Sequence, residues 1–217
     1  MRTRLELVEL LRRRGLRDER VLEAIGRVPR ELFVPAELRD RAYEDGALPI
    51  GHGATISQPF MVAAICALLE LEGGERVLDV GTGSGYQAAV LAELADEVVT
   101  IERVPELADG ARAALAEAGY VDVDVRVGDG TLGVPERAPY EGIAVAAAAP
   151  APPPALVEQL TAGGRLVAPV GGRRGQRLEV VRLTESGPQV TRSVACRFVP
   201  LVGSGGFEDE SGWQFTS

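Results

Sequence analysis

Residues 76–85 read Arg76-Val77-Leu78-Asp79-Val80-Gly81-Thr82-Gly83-Ser84-Gly85, and this stretch decides the fold class. Its apolar first half predicts a buried strand, and its glycines predict a tight turn that leads into a helix ending near Leu94. Glycines after a strand let the backbone approach a ligand closely, and the helix that follows begins with free N–H groups. Because open α/β sheets bind ligands at the carboxyl ends of their strands, the stretch predicts a ligand site in an α/β fold.

Strands and helices alternate after this turn. We predict further strands at 97–102, 121–127, 140–147 and 165–170, with helices at 105–118 and 153–160. Two later stretches, 177–183 and 189–199, are rich in β-forming residues without a helix between them, which predicts an antiparallel pair. The pattern therefore predicts a doubly wound, mostly parallel seven-stranded α/β sheet with C-terminal antiparallel strands.

The sequence before this sheet predicts an N-terminal helical extension. Apolar spacing favours helices at 5–11 and 18–28, and Pro59 suits the first position of a third helix that ends near Leu71. Residues 35–57 are rich in Gly, Pro and polar side chains, so we expect a long loop of the kind that usually serves function.

We expect one domain over residues 1–217. Its parts are the N-terminal helices and active-site loop (1–72), the ligand-binding sheet (73–203) and a Gly-, Ser- and acid-rich tail (204–217) that we predict to be poorly ordered.

Composition excludes several classes of function. The net charge of -9 repels phosphate backbones and argues against a nucleic-acid partner. With His52 as the one histidine and only Cys66 and Cys196 as cysteines, neither a structural metal site nor a disulfide framework is expected. The N-terminus lacks the apolar segment of a secretion signal, and no apolar run approaches the ~20 residues of a membrane span. We therefore expect a cytoplasmic protein without a membrane partner.

Acidic residues follow the next two predicted strands. Glu102 ends the second strand, where a carboxylate can accept hydrogen bonds from both hydroxyls of a ribose. Gly128-Asp129-Gly130 closes the third strand, and Asp129 is a candidate acceptor for the exocyclic amine of adenine. Taken singly, each has a simpler reading, a solvated strand end or an Asp-Gly turn. Together with the glycine loop, they predict an adenosine pocket.

The spacing of the glycines distinguishes between two ligands that contain adenosine, a dinucleotide and S-adenosylmethionine. A dinucleotide fingerprint needs G-x-G-x-x-G, but here Tyr86 stands at the sixth position and the third glycine arrives one residue early. The observed G-x-G-x-G suits a ligand without a pyrophosphate, and S-adenosylmethionine is the predicted cofactor. A purely structural turn and a dinucleotide site remain as alternatives for this segment alone.

Several segments resemble one family, protein-L-isoaspartate O-methyltransferase. The resemblance covers residues 18–203, and its most specific part is Thr55-Ile56-Ser57-Gln58-Pro59 before the first strand of the sheet. The other matching segments are 78–86, 128–130, 138–143, 147–150, 163–167 and 198–203. The resemblance implies a Rossmann-like S-adenosylmethionine-dependent methyltransferase.

The resemblance also implies the site residues. Ser57 becomes the active-site hydroxyl, although a helix cap before Pro59 is its simpler reading. Implied cofactor contacts are Thr55, Ile56, Ser57, Asp79, Gly81, Thr82, Gly83, Ser84, Gly85, Glu102, Arg103, Asp129 and Gly130. Implied substrate contacts are Ala54, Val199, Pro200 and Leu201, with no metal.

The implied reaction is methylation of the free α-carboxyl of L-isoaspartyl residues in damaged proteins and peptides, by a monomer. Repair then proceeds through a succinimide. Two alternatives stay open: methylation of an ordinary Asp in one dedicated peptide, and a module that holds adenosine without turnover. A nicotinamide enzyme is disfavoured by Tyr86.

Overall fold

The computed structural model describes residues 3–208, and its N-terminal part is helical. The helices there are α1 (Arg4–Arg13), α2 (Glu19–Arg27) and α3 (Pro59–Leu69). Asp18 caps α2 by accepting a hydrogen bond from the N–H of Val21 at 3.2 Å. Among the described residues, no helix combines the length and apolarity that crossing a membrane requires.

The segment predicted as a loop, residues 35–57, is more structured than expected. It contains a 3-10 helix (Ala36–Arg41) and a two-stranded hairpin of β1 (Leu48–Gly51) and β2 (Ala54–Ile56). Leu48 and Ile56 face each other in this hairpin and are both buried in the core beneath it. The prediction of an irregular loop was wrong because this anchoring depends on the core, which local composition does not reveal.

A seven-stranded sheet forms the centre of the described residues. Its strands are β3 (Arg76–Val80), β4 (Glu97–Glu102), β5 (Asp124–Val127), β6 (Tyr140–Val145), β7 (Leu160–Gly172), β8 (Gly175–Thr184) and β9 (Gly187–Cys196). Their order is β5-β4-β3-β6-β7-β8-β9, with β3 to β7 parallel and β8 and β9 antiparallel. The connecting helices are α4 (Tyr86–Ala92), α5 (Pro105–Glu117) and α6 (Pro154–Val157). The predicted fold class is confirmed.

The region around α6 differs from the sequence prediction. The expected helix at 153–160 is a single turn, and β7 begins at Leu160 instead of Arg165. The buried side chain of Gln159 explains the early stop. Its Oε1 accepts a hydrogen bond from the N–H of Val134 at 3.0 Å, and its Nε2 donates to the carbonyl of Leu132 at 2.8 Å. Because this contact joins distant segments, helical periodicity could not reveal it.

The strand order reverses beside β3. Strands β4 and β5 follow on one side, whereas β6 and β7 lie on the other, so the loops after β3 and β6 leave a crevice between them. Apolar clusters cover both faces of the sheet, with Val77 in one cluster and Leu78 and Val80 in the other. Rigid strands therefore present their carboxyl ends to one shared edge.

Part of the predicted tail folds back on the segment that precedes it. The N–H of Phe207 donates to the carbonyl of Leu201 at 2.8 Å, and the N–H of Gly203 donates to the carbonyl of Phe207 at 3.1 Å. The rest of that tail, including Trp213, lies outside the described residues.

We predict that Gln159→Leu destabilises the protein by about 2–3 kcal/mol, because the buried N–H of Val134 and carbonyl of Leu132 lose their partner. Urea unfolding measures the change. Gln189→Leu on exposed β9 is the matched control and should shift the free energy of unfolding by less than about 0.5 kcal/mol. Equal effects of the two substitutions would contradict the role of Gln159.

Candidate active site

A cavity of about 580 Å³ lies at the carboxyl edge of β3, β4 and β6, beneath the β1–β2 hairpin. Most of the predicted site residues line it: Ala54, Thr55, Ile56, Ser57, Gly81, Thr82, Gly83, Ser84, Glu102, Arg103, Gly130, Val199, Pro200 and Leu201. Asp79, Gly85 and Asp129 are not among its lining residues. The structure thus brings together residues from both halves of the chain at the expected sheet edge.

Glu102 holds the glycine loop and faces the cavity. Its Oε2 accepts a hydrogen bond from the N–H of Gly83 at 2.9 Å, and its Oε1 accepts one from the N–H of Val104 at 3.1 Å. A carboxylate has about four acceptor sites, so two remain for hydroxyl groups of a ligand. Gly83 adopts φ +52, which favours glycine and turns its N–H toward this carboxylate.

Asp79 lies behind the cavity wall, fully buried in the middle of the sheet. Its carboxylate accepts hydrogen bonds of 2.8 Å from Gln87 Nε2 and from Thr100 Oγ1. Thr82 Oγ1 lies 2.6 Å from Thr100 Oγ1, which ties the glycine loop to the same network. Burial raises the pKa of Asp79 to about 6, helped by the nearby charge of Glu102, while the two hydrogen bonds oppose the rise.

Asp129 holds the C-terminal loop at the edge of the cavity. One carboxylate oxygen accepts from the N–H and hydroxyl of Thr131 at 2.9 and 2.6 Å, and the other accepts from the N–H and hydroxyl of Ser204 at 2.9 and 3.1 Å. Partial burial acts to raise the pKa of Asp129, but these hydrogen bonds outweigh it and hold the pKa below its usual range. A contact between Asp129 and adenine therefore stays a prediction. The contacts of Asp129 with Thr131 and Ser204 are structural, because they join the loop after β5 to the C-terminal segment.

Gly85 is explained by packing. A Cβ placed there would lie 3.2 Å from Cγ of Leu115, and its backbone has φ +89. Glycine lets α5 pack closely against the start of α4.

Arg30 is a site residue that the sequence analysis missed. Its side chain is fully buried next to Ser57, and its Nη2 donates to the Ser57 carbonyl at 3.0 Å. Its Nε donates to the carbonyl of Ala42 at 2.8 Å, and its guanidinium carbon lies 4.6 Å from the ring centre of Tyr86. The sequence offered only the charged pair Arg30-Glu31 within an otherwise apolar stretch from Val28 to Val34, and it does not indicate which of the two is buried.

This buried guanidinium links the segment before the hairpin, the segment after it and the helix that follows the glycine loop. Desolvation by burial lowers the pKa of Arg30 to about 10, so the group remains charged at neutral pH. Its charge is spread over carbonyl dipoles and the face of Tyr86. Arg30 therefore fixes the backbone of Ser57 relative to the glycine loop.

Ser57 stands where two cavities meet. It lines the cavity described above and a second one of about 480 Å³, whose lining also includes Thr55, Ala146 and Val199. The alternative role of Ser57 as a helix cap is not seen, because the N-cap of α3 is Gln58, and the N–H of Phe60 in the first turn donates to the carboxylate of Asp45 at 2.9 Å. Ser57 therefore does not cap α3, and a contact of its hydroxyl with a ligand stays a prediction.

Residues 198–201 line the two cavities and are held by hydrogen bonds to Gln176 and Ala148. Oε1 of Gln176 accepts from the N–H of Phe198 at 2.7 Å. The N–H of Ala148 donates to the carbonyl of Val199, and the Ala148 carbonyl accepts from the N–H of Leu201, both at 2.7 Å. These bonds position Val199 and Leu201, which sequence analysis places at the substrate.

The residues of the larger cavity fit an adenosine-bearing cofactor. Its volume lies within the roughly 300–1,000 Å³ usual for small-molecule sites. Glu102 retains acceptor capacity for two hydroxyls, and Ile101, Leu107 and Leu201 supply an apolar surface for a flat base. Within residues 3–208, no group of three or more His, Cys, Asp or Glu side chains is arranged to hold a metal ion.

Comparisons with known proteins agree with this site. The family model for Protein-L-isoaspartate(D-aspartate) O-methyltransferase (PCMT) matches residues 2–206. A Marinobacter nauticus protein, Protein-L-isoaspartate O-methyltransferase 2, is 56% identical over 92% of this chain and 90% of its own. A Methanoculleus marisnigri Protein-L-isoaspartate O-methyltransferase is 52% identical over 96% of both chains.

Two solved structures are also similar. A protein-L-isoaspartate O-methyltransferase superposes with a TM-score of 0.84 at 29% identity, over 94% of this chain and 67% of that chain. A Plasmodium falciparum enzyme of the same kind, solved in complex with S-adenosyl-L-homocysteine, gives a TM-score of 0.82 at 26% identity, over 93% of this chain and 99% of that chain.

The sheet, the glycine loop and the carboxylate of Glu102 define an S-adenosylmethionine-dependent methyltransferase. Within that class, the match over nearly the whole chain settles the family. The chain belongs to the protein-L-isoaspartate O-methyltransferase family.

We predict that Arg30→Met lowers the free energy of unfolding by about 2–4 kcal/mol, because the buried carbonyls of Ala42 and Ser57 lose their donor. Methyl transfer should fall in the fraction that stays folded, since Ser57 loses its anchor. Urea unfolding and initial rates measure the two effects. Arg12→Met, at an exposed ion pair on α1, is the control and should change neither. Unchanged turnover in Arg30→Met would contradict the anchoring role.

We predict that Asp79→Asn flattens part of the pH dependence of stability. The native state binds a proton at Asp79 more tightly than the unfolded chain, so its contribution to stability is fully present below about pH 4 and is lost toward about pH 6. The free energy of unfolding of the variant minus that of the wild type should therefore rise by about 2–3 kcal/mol from about pH 4 to about pH 7. Urea unfolding at both pH values tests this, and parallel profiles would contradict it.

Proposed function

We propose that the Ser57 hydroxyl orients the acceptor carboxylate during methyl transfer. The overall reaction is that of the family: the chain transfers a methyl group from S-adenosylmethionine to the free α-carboxyl of L-isoaspartyl residues in proteins and peptides. The ester then collapses to a succinimide, which reopens in part as normal aspartate.

The observation that carries this role is the position of Ser57 between the two cavities. The larger cavity contains the glycine loop and Glu102, and we assign it to the cofactor. The smaller cavity is bounded by Phe60, Met61 and Phe198 and lacks the glycine loop, and we assign it to the peptide. A donor at their junction can bond a carboxylate in one cavity while the methyl group arrives from the other.

This chemistry needs alignment more than proton transfer. The acceptor carboxyl has an ordinary pKa near ~4, so it is already ionised at neutral pH and needs no general base. The cofactor supplies a methyl group on a positively charged sulfonium. The Ser57 hydroxyl donates one hydrogen bond, which orients the carboxylate without neutralising it. Residues of the hairpin β1–β2 and Val199 line the cavity at this junction, and their positions constrain how the two reactants align.

The remaining assignments follow from position. Those predicted residues that line the larger cavity act on the cofactor, with Glu102 on the ribose. Of the four residues expected at the substrate, Val199 lines both cavities and is assigned to the peptide, whereas Ala54, Pro200 and Leu201 line the larger cavity alone, so a peptide contact stays a prediction for these three. We assign Asp79, Gly85 and Asp129 to support of the cavity from behind its lining. A monomeric, cytoplasmic enzyme without a nucleic-acid partner stays our prediction.

We predict that Ser57→Ala lowers kcat on an L-isoaspartyl peptide by about 10- to 100-fold, because the carboxylate loses its orienting donor. The measurement is transfer of labelled methyl from S-adenosylmethionine to two peptides that differ only in L-isoaspartyl or L-aspartyl at one position. The wild type should give base-labile label on the isoaspartyl peptide alone.

Ser186→Ala, in the turn between β8 and β9, is the matched control and should behave like the wild type. Wild-type activity in Ser57→Ala would overturn the role of the hydroxyl. Label on neither peptide, with the cofactor still bound, would instead favour one dedicated protein substrate.

A further inference from the structure

The smaller cavity has a basic lining, although the chain as a whole is acidic. Among the described residues that line it, the charged ones are Arg14 and Arg197, and none is Asp or Glu. The net charge of the whole chain is -9, so most of the molecule repels anions. The lining of this cavity has the opposite sign and favours an anionic group in a ligand that enters it.

The guanidinium of Arg14 is held in one place by two contacts. Its Nη1 donates to the carboxylate of Asp45, and its central carbon lies 4.0 Å from the ring centre of Phe60. The same carboxylate also holds the backbone of Phe60, because it accepts a hydrogen bond from the N–H of that residue at 2.9 Å. A planar group that is stacked on a ring and bonded at one end presents its other N–H groups in a fixed direction.

Arg14 keeps hydrogen-bond donors for a ligand. A guanidinium has five N–H groups, and within residues 3–208 Arg14 donates to Asp45 alone. The side chain of Arg14 is 40% exposed and lines the cavity, whereas that of Asp45 is 6% exposed and does not line it. A group that enters the cavity therefore meets the arginine and not the carboxylate. Asp45 offsets part of the charge of Arg14, but the remaining N–H groups can still bind a second carboxylate.

Arg14 lies near the proposed position of the acceptor carboxylate but not at it. Phe60, on which its guanidinium stacks, is three residues after Ser57 and in the first turn of α3. Ser57 lines both cavities, whereas Arg14 lines the smaller one alone and is thus away from the cavity assigned to the cofactor. Successive residues of an extended peptide are about 3.4 Å apart, so the neighbours of the isoaspartyl residue come within reach of Arg14.

Resting on the assignment of the smaller cavity to the peptide, we propose that Arg14 binds the side chain of an Asp or Glu residue next to the isoaspartyl residue. N–H groups of the guanidinium donate to the carboxylate oxygens of that side chain. Arg14 is then a specificity-determining residue, and the chain prefers isoaspartyl sites in acidic surroundings. The contact requires no change in the roles assigned to Ser57 and Glu102.

The test measures methyl transfer to three peptides that share one isoaspartyl centre. Both neighbours of the isoaspartyl residue are Glu in the first peptide, Gln in the second and Arg in the third. For the wild type, kcat/KM should be about three- to tenfold higher with Glu than with Gln, mainly through a lower KM, and lowest with Arg. For Arg14→Gln, the ratio of kcat/KM between the Glu and Gln peptides should fall to within about twofold of unity.

Arg173→Gln is the matched control, because it removes the same charge from an exposed arginine in the turn after β7 that lines neither cavity. It should preserve the wild-type ratio. Equal kcat/KM of the wild type for the Glu and Gln peptides would overturn the proposal. So would an unchanged ratio in Arg14→Gln, which would mean that both peptides lose the same contact. An equal fall of the ratio in Arg173→Gln would also overturn it, because it would indicate long-range attraction and not a contact.

Thermal unfolding checks that each variant is folded. Arg14→Gln leaves the carboxylate of Asp45 without its cationic partner. If that variant does not fold, the double variant with Arg14→Gln and Asp45→Asn replaces it, and the same reduced ratio is expected. Label on the Gln peptide without a preference for Glu would refute the contact of Arg14 alone. Label on none of the three peptides would instead refute the proposed function, on which the contact depends.

Discussion

Parallel pairing of β3 with β4 on one side and β6 on the other is the constraint on which the site depends. Backbone hydrogen bonds fix the register of these strands, so their carboxyl ends meet at one edge of the sheet. The glycine loop after β3 and the carboxylate of Glu102 at the end of β4 therefore lie side by side, although Gly83 and Glu102 are 19 positions apart in the chain. The position of the predicted cofactor contacts therefore follows from the geometry of the sheet.

Two buried ionisable groups, Asp79 and Arg30, hold the residues at this edge of the sheet in place. Asp79 is held by the neutral donors Gln87 and Thr100, and Arg30 is held by backbone carbonyls and the ring of Tyr86. Neither charge is paired with an opposite charge at close range in these contacts, so dipoles and hydrogen bonds offset part of the cost of burial. Nη1 of Arg30 is buried without a hydrogen-bond partner among residues 3–208. Such groups have few alternative arrangements. Methyl transfer depends on alignment, and a site held in this way is aligned before the ligands bind.

Sequence-based predictions were correct where a helix or strand depends on neighbouring residues, and they failed where it depends on residues far away in the chain. Strand β3 and its glycine turn were predicted correctly, because apolar runs and glycines act locally. The hairpin β1–β2 was missed since Leu48 and Ile56 are anchored by a distant core. Helix α6 was predicted too long because Gln159 bonds a segment 25 residues earlier in the chain. Local signals found each strand of the sheet, and long-range contacts decided several of the boundaries.

The sequence by itself determined the fold class, the cofactor loop and the family, because these rest on short motifs such as residues 55–59 and 78–86. Tertiary structure decided which residues act together. It placed Ser57 at the junction of two cavities and buried Asp79 behind the wall of the larger one, where Gln87 donates a hydrogen bond to it. It also revealed Arg30 as the anchor of Ser57, 27 residues away. The physical reason is that hydrogen bonding of a buried group depends on its neighbours in space, which a linear sequence does not specify.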